Sequence, residues 1–256
     1  MSYMDLFFFS KIDLKSLNCI GTTGGRHKDL PPSHQGTPIF KIGEAQAVGH
    51  GGLQMANLKQ ALVVSAGTGT SMIAARGSEF GHVTGSAVGG GTLLGLAKLL
   101  LGTANPREIA ALAAKGNPAG VDSTLSDVLG GGIGHLPSDA TAVNLGRIVS
   151  LEHPASREDM AAGLVTLVSQ VIAVIALNAA NAQQLERTVI VGHLVDLEPI
   201  RAAIERVWGF YGVEIPPIVP ESRGFATAFG AALEARIAHE KAASESSRLE
   251  NPRIKT

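Results

Sequence analysis

Residues 61–75 read ALVVSAGTGTSMIAA, two short apolar runs separated by Gly67-Thr68-Gly69-Thr70. Apolar runs of this length that end at glycine predict buried strands over 61–66 and 71–75. The glycine-rich segment between them predicts a tight hairpin turn. A third strand is predicted over 82–86, just before Gly89-Gly90-Gly91. The middle of the chain is therefore predicted to be a set of strands joined by glycine-rich turns.

Apolar periodicity and Gly or Pro boundaries predict the elements on either side of this region. Strands are predicted over 17–20 and 188–191, with an extended segment over 214–219. Helices are predicted over 44–60, 92–101, 106–115, 138–149, 157–182, 198–210 and 225–240. This order predicts an α/β fold in which helices flank a mixed sheet. The polar tail, residues 243–256, is predicted to be disordered.

The composition excludes several classes of protein. The 256 residues are 45% apolar and carry a formal net charge of −1. We therefore expect a globular protein with no nucleic-acid and no membrane partner, because both need a net basic surface. The uncharged stretch over 161–177 is predicted to be a core helix, since it falls short of the roughly 20 apolar residues of a membrane span. The single cysteine, Cys19, is typical of a reducing compartment, so a cytoplasmic location is predicted.

Two glycine-rich turns, over 67–71 and 85–92, indicate phosphate binding. Glycine lacks a Cβ, so backbone N–H groups can converge on an anion, and Thr and Ser hydroxyls add donors. The second turn leads directly into a helix, whose N-terminal N–H groups favour the same anion. Either turn alone is explained as a sharp bend, but the pair indicates a polyphosphate ligand. Neither is a Walker A loop or a dinucleotide-binding G-x-G-x-x-G.

Two further features have both a structural and a functional interpretation. Glu44 begins a predicted helix, where a carboxylate is favoured by the helix dipole. A partly buried Glu44 facing the phosphate site would instead be a general base that deprotonates a substrate hydroxyl. Residues 189–193 form a buried strand that ends at Gly192-His193, where the backbone can approach a nucleotide or can simply turn into a helix.

Several spaced motifs between residues 19 and 238 together resemble the type II pantothenate kinases. They are the segments over 65–71, 83–96, 113–117, 121–122, 144–146, 191–192 and 229–233. The resemblance implies an actin-like, ribonuclease H-like kinase fold, with two related α/β lobes and ATP in the cleft between them. It also implies ATP-dependent phosphorylation of the pantothenate hydroxyl, the first committed step of coenzyme A synthesis, with Mg²⁺ as the accompanying ion.

The resemblance also implies roles for individual residues. Glu44 matches the catalytic base, in a Glu-x-Asp-like context where this chain has Gln46. His82 and Gly85 match substrate-binding positions, although His82 stands where the family usually has an arginine. Thr23, Gly24 and Gly25 match the Thr-Gly-Gly turn of the first lobe. The residues implied to hold ATP are Thr68, Gly69, Thr70, Gly90, Gly91, Thr92, Leu93 and Leu94 at the phosphates, with Gly192 and His193 at the nucleoside. No metal-ligating residue is predicted.

The family's opening Asp-x-Gly-Gly-Thr phosphate loop has no counterpart in the sequence. The predicted organisation is therefore an N-terminally truncated first lobe (1–60), a complete second, nucleotide-binding lobe (61–242) and the tail (243–256). The strand over 17–20 is expected to lack paired neighbours. Two functions stay open. One is a kinase of pantothenate or a related alcohol, expected as a homodimer with a possible separate N-terminal chain. The other is a non-catalytic nucleotide- or partner-binding pseudokinase fragment.

Overall fold

The computed structural model describes residues 13–134 and 136–250. Its main sheet has the strand order β6-β5-β4-β9. The first three strands form an antiparallel meander, and the last strand pairs parallel to β4, with Leu62 opposite Thr188. The strands are β4 (Gln60–Ala66), β5 (Thr70–Arg76), β6 (Glu79–Ser86) and β9 (Thr188–Val191). The predicted hairpin and mixed sheet are confirmed.

Strand β4 is the centre of the core because both of its faces are covered. Alternate residues point to opposite faces of a strand. Leu62 and Val64 contribute to the larger apolar cluster on one face, and Val63 contributes to a smaller cluster on the other. All three side chains are fully buried. A strand buried on both faces reads as a continuous apolar run, as residues 61–64 do.

Helix α5 (Arg157–Ala182) covers the face that carries Leu62. It begins after Ser156, whose hydroxyl accepts a hydrogen bond from the Asp159 N–H over 3.0 Å. Within the described ranges it is the one helix long and apolar enough to cross a membrane, yet 67% of its most apolar window is buried inside the protein. It packs as a core helix against α2 (Gly90–Leu101), α3 (Pro106–Ala113) and α6 (Glu198–Phe210).

The opposite face of the sheet is covered by α1 (Glu44–Ala56), against which α7 (Ala226–Glu250) packs. Two glycines permit this close approach. A Cβ on Gly51 would lie 1.9 Å from the Ala226 carbonyl oxygen, and a Cβ on Gly230 would lie 1.9 Å from the Ala47 carbonyl oxygen. Any side chain at either position would force the two helices apart.

A second, smaller sheet has the order β1-β3-β2. Its strands are β1 (Ile20–Thr22), β2 (Ser33–His34) and β3 (Thr37–Lys41). The strand predicted over 17–20 therefore starts later, and the expectation that it lacks a paired neighbour is wrong, because Ile20 pairs parallel with Ile39. Helix α7 packs against β1 at Gly21, where a Cβ would lie 2.2 Å from the Ala231 carbonyl oxygen.

The helix predicted over 138–149 is absent. Residues of this range form β8 (Thr141–Val143), which pairs with β7 (Ser123–Thr124), and then a 3₁₀ turn over Gly146–Ser150. A short helix, α4 (Leu125–Leu129), follows β7. The cause is Asp122, a fully buried carboxylate that accepts hydrogen bonds from the Thr141 hydroxyl over 2.9 Å and the Leu145 N–H over 2.8 Å. These bonds replace a helical path for the chain.

Several element boundaries also differ from the predictions, among them the end of α1, which lies at Ala56 instead of residue 60. Helix α3 ends at Ala113, and the segment over 214–219 contributes only a single bridge, from Ile218 to Val189. Helix α7 continues to Glu250, so the part of the predicted disordered tail before residue 251 is helical. Ala, Glu and Lys beyond Glu240 are good helix formers and sustain the helix. Residues 1–12 and 251–256 lie outside the described residues, and the division at residue 60 stays a prediction.

Candidate functional site

The two glycine-rich turns of the main sheet are hydrogen-bonded to each other. The Gly90 N–H donates to the Gly67 carbonyl over 2.8 Å, and the Gly91 N–H donates to the Thr68 carbonyl over 2.9 Å. A Cβ on Gly89 would lie 2.7 Å from the Thr68 carbonyl oxygen. The glycines are therefore required by the close approach of the hairpin to the start of α2.

This contact changes which donors face the cleft. The first N–H groups of α2 were expected to point at an anion, but those of Gly90 and Gly91 are occupied by the hairpin. No backbone carbonyl within the described ranges accepts from the N–H groups of Thr68 or Gly69, at the hairpin tip. Thr68 is also exposed. The hairpin tip therefore supplies backbone donors for an anion.

A cleft of about 430 Å³ opens beside these turns. It lies at the carboxyl ends of the parallel strands β4 and β9, the edge at which α/β sheets generally bind ligands. Most of the predicted nucleotide residues line it, namely Thr68, Gly90, Gly91, Leu93, Leu94, Gly192 and His193. The lining residues that the sequence did not single out are Ser65, Pro106, Leu194, Leu197, Gly224 and Thr227, besides Gly67 of the predicted turn.

Three of the predicted residues support the cleft instead of lining it. Thr70 is buried, and its hydroxyl donates to the Val88 carbonyl over 2.9 Å. The Thr92 hydroxyl accepts from the Gly89 N–H over 3.3 Å and donates to the Ala87 carbonyl over 3.1 Å. A Cβ on Gly69 would lie 3.3 Å from the Ser86 carbonyl oxygen. These contacts hold the two turns in register.

One wall of the cleft is apolar. Leu194 and Leu197 follow the end of β9, and Pro106 begins α3. Pro106 was predicted only as a helix start, because proline is favoured at the first helical position. The two leucines follow Gly192, whose positive φ of 103° directs the chain past the Ala66 carbonyl oxygen. A flat, apolar group such as a nucleotide base is suited to this wall.

Glu44 lies away from the lining of this cleft. It is the first residue of α1, and its side chain is exposed, so the partly buried setting expected of a general base is not observed. Because β1 and β3 are parallel, Glu44 shares one edge of the small sheet with the Thr23-Gly24-Gly25 turn. The Thr23 hydroxyl is shielded from solvent and has no hydrogen-bond partner in the described part of the chain. The structure thus brings together two of the predicted first-lobe features.

His82 and Gly85 lie on β6, the outer strand of the main sheet. His82 is exposed and lines a different cavity, of about 480 Å³, together with Arg76 and Glu79. A Cβ on Gly85 would lie 2.7 Å from the Thr70 carbonyl oxygen, so this glycine allows close strand pairing. Their roles in substrate binding stay predictions.

Comparison with known proteins assigns the chain to a family. A sequence model of the Fumble family matches residues 53–234, which include both glycine-rich turns and β9. The chain belongs to the Fumble family. This is the family of the type II pantothenate kinases, so the predicted family is confirmed. The match begins after Glu44 and covers all of the residues that line the cleft.

Curated proteins with similar sequences include pantothenate kinases from a plant and a bacterium. Pantothenate kinase 1 of Oryza sativa subsp. japonica is 38% identical over 137 residues, which are 51% of this chain and 20% of that protein. A type II pantothenate kinase of Bacillus cereus (strain G9842) is 27% identical over 176 residues, which are 66% of this chain and 64% of that protein. The matches therefore span only part of these curated relatives.

Solved structures with a similar fold include an activator of the 2-hydroxyisocaproyl-CoA dehydratase from Clostridium difficile, with bound ADPNP. It aligns with this chain at a TM-score of 0.63 and 17% identity, and the alignment covers 99% of this chain and 84% of that one. A ROK hexokinase from Thermus thermophilus gives a TM-score of 0.52 at 16% identity, covering 79% of this chain and 68% of that one. The α/β architecture is therefore that of the actin-like ATPases and ROK kinases, as predicted.

Proposed function

We propose that the cleft binds ATP and that the protein phosphorylates the hydroxyl of pantothenate or a similar alcohol. The observation that carries this proposal is the meeting of a glycine hairpin, the start of α2 and an apolar wall in one cleft of about 430 Å³. That volume lies within the usual range for small-molecule sites, roughly 300–1,000 Å³. The names of the curated relatives support pantothenate as the substrate.

The residues present fit a nucleoside triphosphate. The N–H groups of Thr68 and Gly69 and the Thr68 hydroxyl would hold phosphate oxygens, since they have no backbone partner within the described ranges. Leu194, Leu197 and Pro106 would pack against the base. Gly90 and Gly91 act indirectly, because their N–H groups hold the hairpin in place.

Magnesium accompanies ATP in phosphoryl transfer, where it bridges phosphate oxygens and neutralises their charge. Residues 13–134 and 136–250 contain no group of three or more His, Cys, Asp or Glu side chains placed to hold a metal ion.

Glu44 is the proposed catalytic base. Its carboxylate is exposed at the start of α1, where it can meet a substrate hydroxyl. The Thr23 hydroxyl, which has no hydrogen-bond partner among the described residues, lies at the same sheet edge and is a candidate contact for the polar end of the alcohol. Phosphoryl transfer requires that this edge of the small sheet and the cleft both face the γ-phosphate of the bound ATP.

The second candidate function is a nucleotide-binding pseudokinase that acts through a partner. The observation that favours it is the position of Glu44, which is exposed and outside the lining of the cleft. In this alternative the cleft binds ATP without transferring its phosphate. A homodimer, a separate N-terminal chain and a cytoplasmic location are further proposals, supported by the resemblance and by the use of a single cysteine.

Two measurements on the purified protein separate these functions. Calorimetric titration with Mg-ATP tests the cleft, and a coupled assay for ADP release in the presence of pantothenate tests transfer. Binding with pantothenate-dependent release supports the kinase. Binding without release supports the pseudokinase, and the absence of ATP binding contradicts both.

A further inference from the structure

The carboxylate of Asp196 joins two side chains at the mouth of the cleft. Its Oδ2 accepts from His193 Nδ1 over 2.9 Å, and its Oδ1 accepts from Arg223 Nε over 2.9 Å. His193 lines the cleft, whereas Asp196 and Arg223 do not. The Arg223 side chain is 23% exposed, against 47% for Asp196 and 70% for His193. The most exposed side chain, His193, is therefore linked through Asp196 to the most buried one, Arg223.

The backbone that carries these residues is held in place by further hydrogen bonds. The Arg201 guanidinium donates to the Val195 carbonyl over 2.7 Å and to the Asp196 carbonyl over 3.1 Å. The Gly192 N–H donates to the Arg223 carbonyl over 3.0 Å. The turn after β9 and the segment before α7 are thus fixed relative to each other.

The ring of His193 is packed as well as hydrogen-bonded. A Cβ on Gly224 would lie 2.2 Å from His193 Cε1, so the ring lies directly against the backbone of this glycine. Phe225 meets the ring edge-on, with 5.9 Å between the ring centroids. A glycine at position 224 is therefore needed for the observed position of the imidazole.

The bond to Asp196 determines which ring nitrogen of His193 is available. A carboxylate only accepts hydrogen bonds, so Nδ1 carries the proton in this contact. Nε2 has no hydrogen-bond partner among residues 13–134 and 136–250. In the neutral imidazole this nitrogen is an acceptor. A cleft-lining histidine held in this way presents one acceptor in a fixed position.

We propose that Asp196 and Arg223 are positioning residues that hold His193 so that Nε2 accepts a hydrogen bond from the nucleoside of the bound nucleotide. This inference rests on the proposed ATP site. The donor is either a ribose hydroxyl or the exocyclic amino group of the base, both of which can donate to a neutral imidazole. His193 is then the residue that distinguishes among nucleosides, while the glycine hairpin holds any polyphosphate.

The test compares His193→Ala, Asp196→Asn and the double variant by calorimetric titration with Mg-ATP. Each single change should weaken ATP binding roughly three- to tenfold, the usual effect of one hydrogen bond. Asp196→Asn should cause little further loss once His193 is alanine, because both changes remove the same contact. Asp29→Asn, at an exposed ion pair with Arg26 between β1 and β2, is the matched control and should leave the affinity unchanged.

Nucleotide analogues identify the donor. Wild-type protein should bind the one analogue that lacks the donor, among 2′-deoxy-ATP, 3′-deoxy-ATP and inosine triphosphate, less tightly than ATP. His193→Ala should bind that analogue and ATP equally well. The ¹⁵N shifts of the His193 ring should show the Nδ1-protonated tautomer in wild type, and Asp196→Asn should abolish that bias. A merely structural role for Asp196 would not alter the preference.

Inorganic tripolyphosphate separates this inference from the proposed function. Its binding should be the same in wild type and all three variants. Normal ATP affinity in folded His193→Ala or Asp196→Asn protein, or additive losses in the double variant, would overturn the positioning role while the ATP site stands. Wild-type protein that binds neither ATP nor tripolyphosphate would overturn both.

Discussion

His50 of α1 and Glu234 of α7 are joined by a hydrogen bond of 2.6 Å between Nδ1 and Oε1. The other carboxylate oxygen of Glu234 accepts from the Gln46 side-chain amide over 2.5 Å. The His50 ring also stacks on Phe80, with 5.7 Å between centroids. Both members of the pair are mostly buried. Helix α7 is thus tied to α1 by a polar contact as well as by glycine packing.

Replacing Glu234 by alanine should lower the free energy of unfolding by about 2 kcal/mol, because it leaves the mostly buried His50 ring and the Gln46 amide without their acceptor. Urea denaturation followed by circular dichroism measures this loss. Glu240→Ala, on the same helix, removes an exposed ion pair with Arg236 and should cost less than about 1 kcal/mol. Equal losses in the two variants would show that the buried cluster contributes no more than a surface pair.

Replacing Gly90 by valine should abolish ATP binding without loss of the circular dichroism spectrum. A Cβ at this position would lie 3.0 Å from the Gly67 carbonyl oxygen, so the bulkier side chain must separate the hairpin from α2. Calorimetry measures the affinity. Gly95→Ala in the same helix is the control, since its Cβ meets open space and alanine should stabilise the helix by up to about 1 kcal/mol. An unchanged dissociation constant in folded Gly90→Val would contradict the hairpin site.

Replacing Glu44 by glutamine should lower turnover by roughly two to four orders of magnitude, because a general base is lost. Nucleotide affinity should change little, since Glu44 does not line the cleft. A coupled ADP-release assay and a Mg-ATP titration measure the two effects. Glu205→Gln, an exposed carboxylate on α6, should leave both values unchanged. Near-normal turnover of the Glu44 variant would leave this residue with only a favourable charge at a helix end.

Asp122 and Asp127 should give opposite pH dependences of stability. Burial raises the pKa of Asp122 from its ordinary value of 3.8, although the Leu145 N–H and the Thr141 hydroxyl oppose this. The carboxyl group of Asp122 thus binds its proton more tightly in the folded state than in the unfolded state. Stability from this group is present below pH 3.8 and is lost as the pH rises through the higher folded-state pKa. Relative to Asp122→Asn, the wild type should therefore lose stability as pH rises above 3.8.

The Thr124 N–H and hydroxyl, together with Arg147, lower the pKa of Asp127 from 3.8. Its stabilising contribution is present above pH 3.8 and is lost as pH falls through the lower folded-state pKa. Relative to Asp127→Asn, the wild type should therefore lose stability on acidification. Urea midpoints measured between pH 3 and 7 compare the two variants. Dependences of the same sign would show that Asp122 is not held in a costly buried state.

The sequence correctly predicted the elements that are determined by residues close to each other in the chain. The hairpin at 67–70 is confirmed because apolar runs and glycines lie next to each other in the chain, and α5 was predicted with its observed limits, 157 and 182, because its apolar pattern is long. The prediction of a helix over 138–149 was wrong because Asp122, well before this range in the chain, accepts hydrogen bonds from Thr141 and Leu145 within it. No property of residues 138–149 alone reveals that contact.

The candidate site was predicted in part for the same reason. Glycines beside strands mark the hairpin and β9, and these residues do line the cleft. The apolar wall and the Asp196–Arg223 contact join segments separated by up to about a hundred residues, such as Pro106 and Leu197. Leu194 and Leu197 could have been identified from their place after a strand that runs parallel to β4.

The packing of α7 against α1 and β1 also determines when these elements can finish folding during translation. On the ribosome, β1 and α1, with the Gly51 that contacts α7, are made long before residues 226–250 are translated. Until then the nascent chain carries an uncovered face, and contacts so distant in sequence form slowly. Synthesis of α7 is therefore the event that covers this face of α1 and β1.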